Sequence, residues 1–250
     1  MKRLSIFLVL PVLAGCGDEP TPLTPNQFFQ QRADLECAAL SSACLMPEAT
    51  CTAGRVAQYA TEYQNAVGNF REFIPANAEA CLDEVKKVYG KLNQGAVALA
   101  GSDYLAMQAV CANVYRGARL ANEPCGSNLD CVDDLICDKG FCGEAQLVAP
   151  GAGCANIGEY CPAGSYCSGA TGVWFCSAKA SAQAYCGTAI PCLEALRCSA
   201  GVCLARLGIG EACASDGDCS SGFCEPYALK CANDIRFANG SAACIAMGGS

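Results

Sequence analysis

Two stretches of the chain align without a gap: Cys125-Gly-Ser-Asn-Leu-Asp-Cys131-Val-Asp-Asp-Leu-Ile-Cys137-Asp-Lys-Gly-Phe-Cys142 and Cys186-Gly-Thr-Ala-Ile-Pro-Cys192-Leu-Glu-Ala-Leu-Arg-Cys198-Ser-Ala-Gly-Val-Cys203. Their common pattern is C-G-[ST]-x3-C-[VL]-[DE]-x-L-x-C-x2-G-[FV]-C. Two further blocks vary the spacing. Cys154, Cys161, Cys167 and Cys176 stretch the last loop around Gly169, Gly172 and Trp174, whereas Cys213, Cys219, Cys224 and Cys231 shorten the third spacing and lengthen the last. The lead-in recurs as well, as Ala118-Arg119-Leu120 and Ala205-Arg206-Leu207. Sixteen cysteines in four blocks of four are an internal repeat.

One block cannot fold on apolar burial alone. Residues 125–142 offer only Val132, Leu135, Ile136 and Phe141 as large hydrophobes, too few to offset the ordering of the backbone. Cross-links are therefore required, and neighbouring blocks are expected to pack on one another. Connectivity within a block has three possibilities, and spacing does not choose among them.

The segment Cys213-Ala-Ser-Asp-Gly-Asp-Cys219-Ser-Ser-Gly-Phe-Cys224 resembles the Dickkopf N-terminal cysteine-rich region and its bacterial relatives. The resemblance spans about residues 119–231 and rests on cysteine, glycine and acidic positions. It implies a cysteine-rich secreted protein or lipoprotein of a Gram-negative bacterium, with a helical domain ahead of the cysteine blocks. The animal members antagonise Wnt signalling. That activity is not carried over, because their receptor-binding second cysteine-rich domain has no match in this sequence.

Composition narrows the rest. The 250 residues include 23 cysteines and no histidine, a density that belongs to an oxidising compartment. A zinc site fits less well: the cysteine spacings are mostly four to six residues rather than two, and no histidine completes a mixed ligand set. Net charge is −8, and removing an N-terminal signal that carries Lys2 and Arg3 takes it to −10 (−8 minus two positive charges). An acidic chain without a basic cluster argues against nucleic acid and against electrostatic docking on anionic lipid, so membrane attachment must be covalent.

The N-terminus supplies such an attachment. Met1-Lys2-Arg3 followed by apolar Leu4–Leu13 reads as a cleaved signal, too short to span a bilayer. Leu13-Ala14-Gly15-Cys16 resembles the lipobox of bacterial lipoproteins, which implies a signal peptide over 1–15 and a diacylglycerol on the Cys16 thiol. The competing reading is an ordinary signal peptide beside a coincidental cysteine. Setting Cys16 aside leaves 22 cysteines, an even number with no odd thiol. Gly17 stands where some lipoproteins carry the inner-membrane retention aspartate, which favours the outer membrane, although Asp18 follows one position later. More than one acyl chain anchors stably. Residues 16–24 then form a Pro/Thr-rich tether.

Residues 25–118 read as an all-α domain. Thr24-Pro25-Asn26-Gln27 predicts a capping box with proline at the first helical position. Phe29, Ala33, Cys37, Leu40 and Cys44 then form one helix face. A second helix starts after Pro47 with the stripe Val56, Tyr59, Tyr63, Val67 and Phe70. A third runs from about Asn77 to Tyr89, buries Cys81, Leu82, Val85 and Val88, and stops at Gly90, with Asp83 and Lys87 paired outside. Residues 91–101 read as a loop, and a fourth helix covers Asp103–Val114, with strand as an alternative over 109–115.

Five cysteines, Cys37, Cys44, Cys51, Cys81 and Cys111, lie in this domain. Five is odd. If each block closes on itself, one of them must reach Cys244, folding the tail 232–250 back onto the helices.

No catalytic constellation emerges. The base that nucleophilic catalysis needs is most often histidine, which is missing, and every cysteine has a structural explanation. Asp133-Asp134 and Asp216/Asp218 are the candidate acid pairs, but aspartate in such loops forms turns, and the ligand pattern of an EF-hand calcium loop is missing. The candidate contact residues are Trp174, the only tryptophan, and Phe175, weighed against a role as a local core plug.

The expected fold is a small disulfide-rich repeat array of short β-hairpins and loops over 119–231, with modules at 125–142, 154–176, 186–203 and 213–231, behind an all-α helical domain. The expected function is a non-enzymatic outer-membrane lipoprotein, periplasmic or surface-facing. It would bind a protein or polysaccharide, with no nucleic-acid partner, no metal and no cofactor beyond the lipid on Cys16. An inhibitor of secreted hydrolases is the alternative. A hydrolase using carboxylates of the helical domain would need a deep pocket with two facing acids.

Overall fold

Thr24 opens the first helix through the expected capping box: its hydroxyl accepts from the Gln27 N–H at 3.4 Å, and the Gln27 side chain accepts from the Thr24 N–H at 3.0 Å. The computed structural model describes residues 21–93, 98–170 and 173–247. The signal peptide, the lipobox with Cys16, most of the tether, Gly172 and the last three residues lie outside the described residues.

Helix α1 (Pro25–Ala43) buries Phe28, Phe29, Ala33, Cys37 and Leu40, and α2 (Glu48–Gly68) returns antiparallel to it. The pairing is fixed by Cys37–Cys51 and by the Phe29 and Tyr63 rings, 5.8 Å apart. After β1 (Arg71–Phe73) comes α3 (Pro75–Asn93), which packs on α1. Strand β2 (Ala98–Ala100) leads into α4 (Gly101–Cys111), a 3₁₀ turn over Ala112–Val114 and β3 (Tyr115–Gly117). Cys81–Cys111 ties α3 to α4.

Four features depart from the sequence reading. The helical region is not all-α, because β1 pairs with β3 and β2 pairs with a strand near the C-terminus. Helix α3 runs through Gly90, since Val88, Tyr89 and Leu92 continue its buried stripe and offset the cost of a helical glycine, about 1 kcal/mol. Lys87 pairs with Glu84 at 2.8 Å rather than with Asp83. The stripe on α2 holds over its first part only: Tyr59 is buried and Val56 and Tyr63 pack against the core alongside Cys51, Arg55 and Ala66, while Val67 and Phe70 are exposed. Phe70 sits just past the helix in the left-handed region (φ 59°), which carries its ring outward beneath the Arg119 guanidinium, 5.3 Å away.

The cysteine blocks build one hairpin each: β4 (Ile136–Asp138) with β5 (Phe141–Gly143), β8 (Ser165–Ala170) with β9 (Val173–Ala178), β10 (Leu196–Ser199) with β11 (Val202–Ala205), and β12 (Cys224–Glu225) with β13 (Lys230–Cys231). Strands β6 (Gln146–Leu147) and β7 (Glu159–Tyr160) pair in parallel between the first two hairpins. In the two gapless blocks the turns place Lys139-Gly140 and Ala200-Gly201 both at positive φ, the two-residue hairpin geometry that explains the shared glycine.

The four blocks have one fold despite their different spacings. In each, the third and fourth cysteines are direct cross-strand partners: Cys137/Cys142, Cys167/Cys176, Cys198/Cys203 and Cys224/Cys231. Such partners project to the same side of the pair. They reach back to the preceding loop, joining first to third and second to fourth cysteine in every module. The residue before the first cysteine bridges the residue before the fourth in all four, as Pro124/Phe141, Gly153/Phe175, Tyr185/Val202 and Ala212/Lys230. A parallel bridge at or beside the second cysteine also recurs, as Arg119/Cys131, Leu147/Tyr160, Ala180/Cys192 and Leu207/Cys219.

Neighbouring modules are joined by polar contacts. Lys139 donates to the Asn156 carbonyl at 2.9 Å, and Gly158 N–H donates to Asp138 at 3.1 Å. Farther on, Glu194 accepts from Lys179 at 2.7 Å and from Gly164 N–H at 2.9 Å, and Arg206 donates to its carbonyl.

Both ends of the array rest on the helices. At the first module, Arg71 bonds Asp130 and Ser127, each at 2.8 Å. At the fourth, buried Phe223 packs on Gly101 and lies 6.1 Å from the Tyr104 ring. Strand β14 (Asp234–Arg236) then pairs with β2, and α5 (Ala242–Ala246) carries Cys244 to Cys44.

Candidate binding surface

The hairpin β8–β9 carries the aromatic residues singled out in the sequence, and strand alternation divides them between its two faces. Trp174 shares a face with the Cys167/Cys176 pair and lies across from Gly169. A Cβ at Gly169 would come within 2.5 Å of the indole, so the ring covers a position that only glycine leaves open. Phe175 and Val173 project to the opposite face with Tyr166, Ser168 and Ser177. They are 45% and 67% exposed, against 38% for Trp174. Both candidates are thus exposed, on opposite faces: Trp174 covers Gly169 on the cysteine face, and Phe175 with Val173 forms the apolar surface of the other.

The position of Phe175 recurs. It precedes the fourth cysteine, as do Phe141 in the first module and Val202 in the third. Since the fourth cysteine points inward, its predecessor points outward. Phe141 is exposed and Val202 half-buried beside exposed Tyr185, its bridge partner. The fourth module breaks the series with Lys230.

The acidic candidates divide in the same manner. Asp218 caps its own loop, accepting from Ala214 N–H and Ser215 N–H, each at 3.0 Å, and Asp216 accepts from Cys224 N–H at 2.7 Å. Asp130 and Asn128 repeat both roles in the first module, with Gly126 N–H and Ser127 N–H on Asp130 and Cys137 N–H on Asn128. Burial works against the Asp130 charge. The Gly126 N–H and Arg71 bonds outweigh it and hold this carboxyl below the usual aspartate value. Asp133 and Asp134 line a groove against the helices with Glu72 and Arg116. The module sulfurs gather within 4.8 Å of one another in groups of three, the packing that two crossing disulfides impose.

The helices hold a polar cluster that the sequence reading passed over. Glu36 is fully buried; it accepts from Arg32 Nε at 3.1 Å, from Arg55 Nε at 2.6 Å and from the Tyr59 hydroxyl at 2.6 Å. Arg55 also donates to Gln58 at 2.6 Å and to the Tyr59 hydroxyl. Burial opposes charge on Arg55, but the facing Glu36 raises its pKa above that of a free guanidinium. The four residues recur at four-residue steps, Arg32/Glu36 on α1 and Arg55/Tyr59 on α2. That spacing was visible, but on helices it equally describes a solvated face.

The class that this fold and surface define is a disulfide-knit modular chain docked at both ends on a helical unit. Comparison with protein-family models, with curated proteins and with solved structures returned no match.

Proposed function

We propose that the protein is a non-enzymatic cell-envelope lipoprotein whose cysteine modules, related to the Dickkopf-type repeat, present a binding surface for another protein or a polysaccharide. One observation supports this reading: cross-linked modules place Phe141, Phe175 and Val202 at corresponding outward positions, with exposed Val173 on the same face as Phe175 and exposed Tyr185 bridged to Val202. Aromatic rings held on a cross-linked hairpin lose little entropy on contact, which suits them to protein interfaces. A lipid on Cys16 would supply the outer-membrane anchor, and no helix among the described residues is long and apolar enough to cross a membrane.

A photo-crosslinking residue at position 175 in living cells tests the surface. A discrete adduct that is missing when the same residue replaces exposed Leu45 on the helical side supports it; identical adducts at both positions sink it. Palmitate labelling that survives Cys16→Ala would remove the anchor, and protease shaving of intact cells separates a surface from a periplasmic address. The inhibitor reading draws on one feature, that β8 and β9 have six residues each and exceed the strands of every sibling hairpin. Inhibition within a panel of secreted proteases, lost in Phe175→Ala, is its test.

A further inference from the structure

A cleft of about 580 Å³ lies between the helices, module one and module four, within the range of small-molecule sites. Its lining includes Arg32, Tyr104, Tyr115, Tyr227 and Met247. Three of these are tyrosines, so part of its wall offers ring surface with polar tips, and Gln58, Glu62, Asn65, Asn69 and Gln108 make much of the rest polar.

Two residues of the lining carry donors without a hydrogen-bond partner. Arg32 is only 7% exposed; its guanidinium lies 4.3 Å from the centre of the Tyr59 ring, and its single hydrogen bond among the described residues runs from Nε to Glu36, which leaves both terminal nitrogens over. The Tyr115 hydroxyl is buried with no hydrogen-bond partner among the described residues. A buried hydroxyl of this kind is costly to leave unpaired, and natural structures rarely do so. Arg32 and Arg55 share the carboxylate of Glu36, Arg71 is paired with Asp130, and Glu62 adds a further carboxylate to the lining, so the charges around the cleft balance. What is left over is hydrogen-bonding capacity. Arg55 has its donors engaged, so the free donors are those of the Arg32 fork, whose geometry matches a planar carboxylate.

We propose that this cleft is a binding site for a small organic carboxylate, whose anionic end pairs with the Arg32 terminal nitrogens and accepts from the Tyr115 hydroxyl, and whose body packs against the tyrosine rings. The site is separate from the hairpin surface and does not depend on it. Because helices, first module and fourth module all contribute walls, occupancy would favour the docked arrangement of the array by mass action.

Calorimetric titration of the full chain with benzoate, cinnamate and pyruvate tests the assignment, with inorganic phosphate as the competing anion. Saturable one-to-one binding of at least one carboxylate, tighter than phosphate, is expected. Arg32→Gln should weaken it by about tenfold or more, as loss of a charge-assisted bond does. Tyr115→Phe separates binding from folding. It removes only an unpaired hydroxyl, so the melting temperature should hold or rise while carboxylate binding weakens. Binding by Tyr115→Phe and Arg32→Gln that matches the wild-type chain, preference for phosphate, or no saturable binding by any of the three carboxylates would each overturn the proposal.

Discussion

At the scale of single residues, Glu36 has the most at stake. It sits fully buried between two arginines and a tyrosine hydroxyl, and every bond it accepts comes from a group that has no other carboxylate. A triad of this kind adds little over a well-packed apolar cluster, but removing one member leaves a buried charge uncompensated. Glu36→Ala, which abandons two facing guanidiniums, should therefore destabilise the fold by about 3–5 kcal/mol. Urea unfolding followed by circular dichroism measures it; a loss below 1 kcal/mol would mean that water reaches the arginines.

At the scale of elements, the junction between β1 and the first module rests on Arg71 and Asp130. Asp130 also caps the loop after Cys125, so one carboxylate both orders the module and docks it. Its folded-state pKa is lowered, so its contribution is present above the unfolded value near 4 and fades as pH falls through the folded value. Asp130→Asn should cost about 1–2 kcal/mol at neutral pH. Wild type and variant should then converge as pH drops below about 4. Melting temperatures recorded against pH give the comparison, and curves that stay parallel down to acid would assign the docking to the backbone alone.

At the scale of the whole molecule, Cys44–Cys244 joins residues 200 apart and closes the path from helices through four modules back to helices. The C-terminal segment is also held by the β2–β14 pairing and by Gly101 N–H on the Asn233 carbonyl at 2.7 Å. The loop-entropy account sets an upper bound of about 5 kcal/mol for such a bridge, reduced here because the other cross-links already restrain the unfolded chain. A Cys44→Ser/Cys244→Ser variant should fold, unfold at lower urea, and open first at α5, seen as early proteolysis beyond Arg236. Unchanged stability would mean that β14 alone secures the closure.

The repeat, its even count of cysteines and the capping box of α1 were legible in the sequence because they are local: spacing, parity and a four-residue signal each act within a few residues. With each block closed on itself, parity also sends one cysteine of the helical domain to Cys244. That Cys44 would receive it was a tertiary matter, settled by which helix end faces α5. The same holds for the disulfide order. Four cysteines at these spacings admit three pairings; the hairpin sets the third and fourth side by side on one face, and the loop before it brings the first against the third and the second against the fourth. The end of α2 was hidden for a related reason. Hydrophobicity alone placed Val67 and Phe70 inward and gave no sign of Arg55, whereas the buried Glu36 carboxylate holds Arg55 on the inner face and the left-handed backbone at Phe70, past the helix, carries its ring outward. Local chemistry determined the modules; the partners that each face meets across the fold decided the cluster, the cleft and the closure.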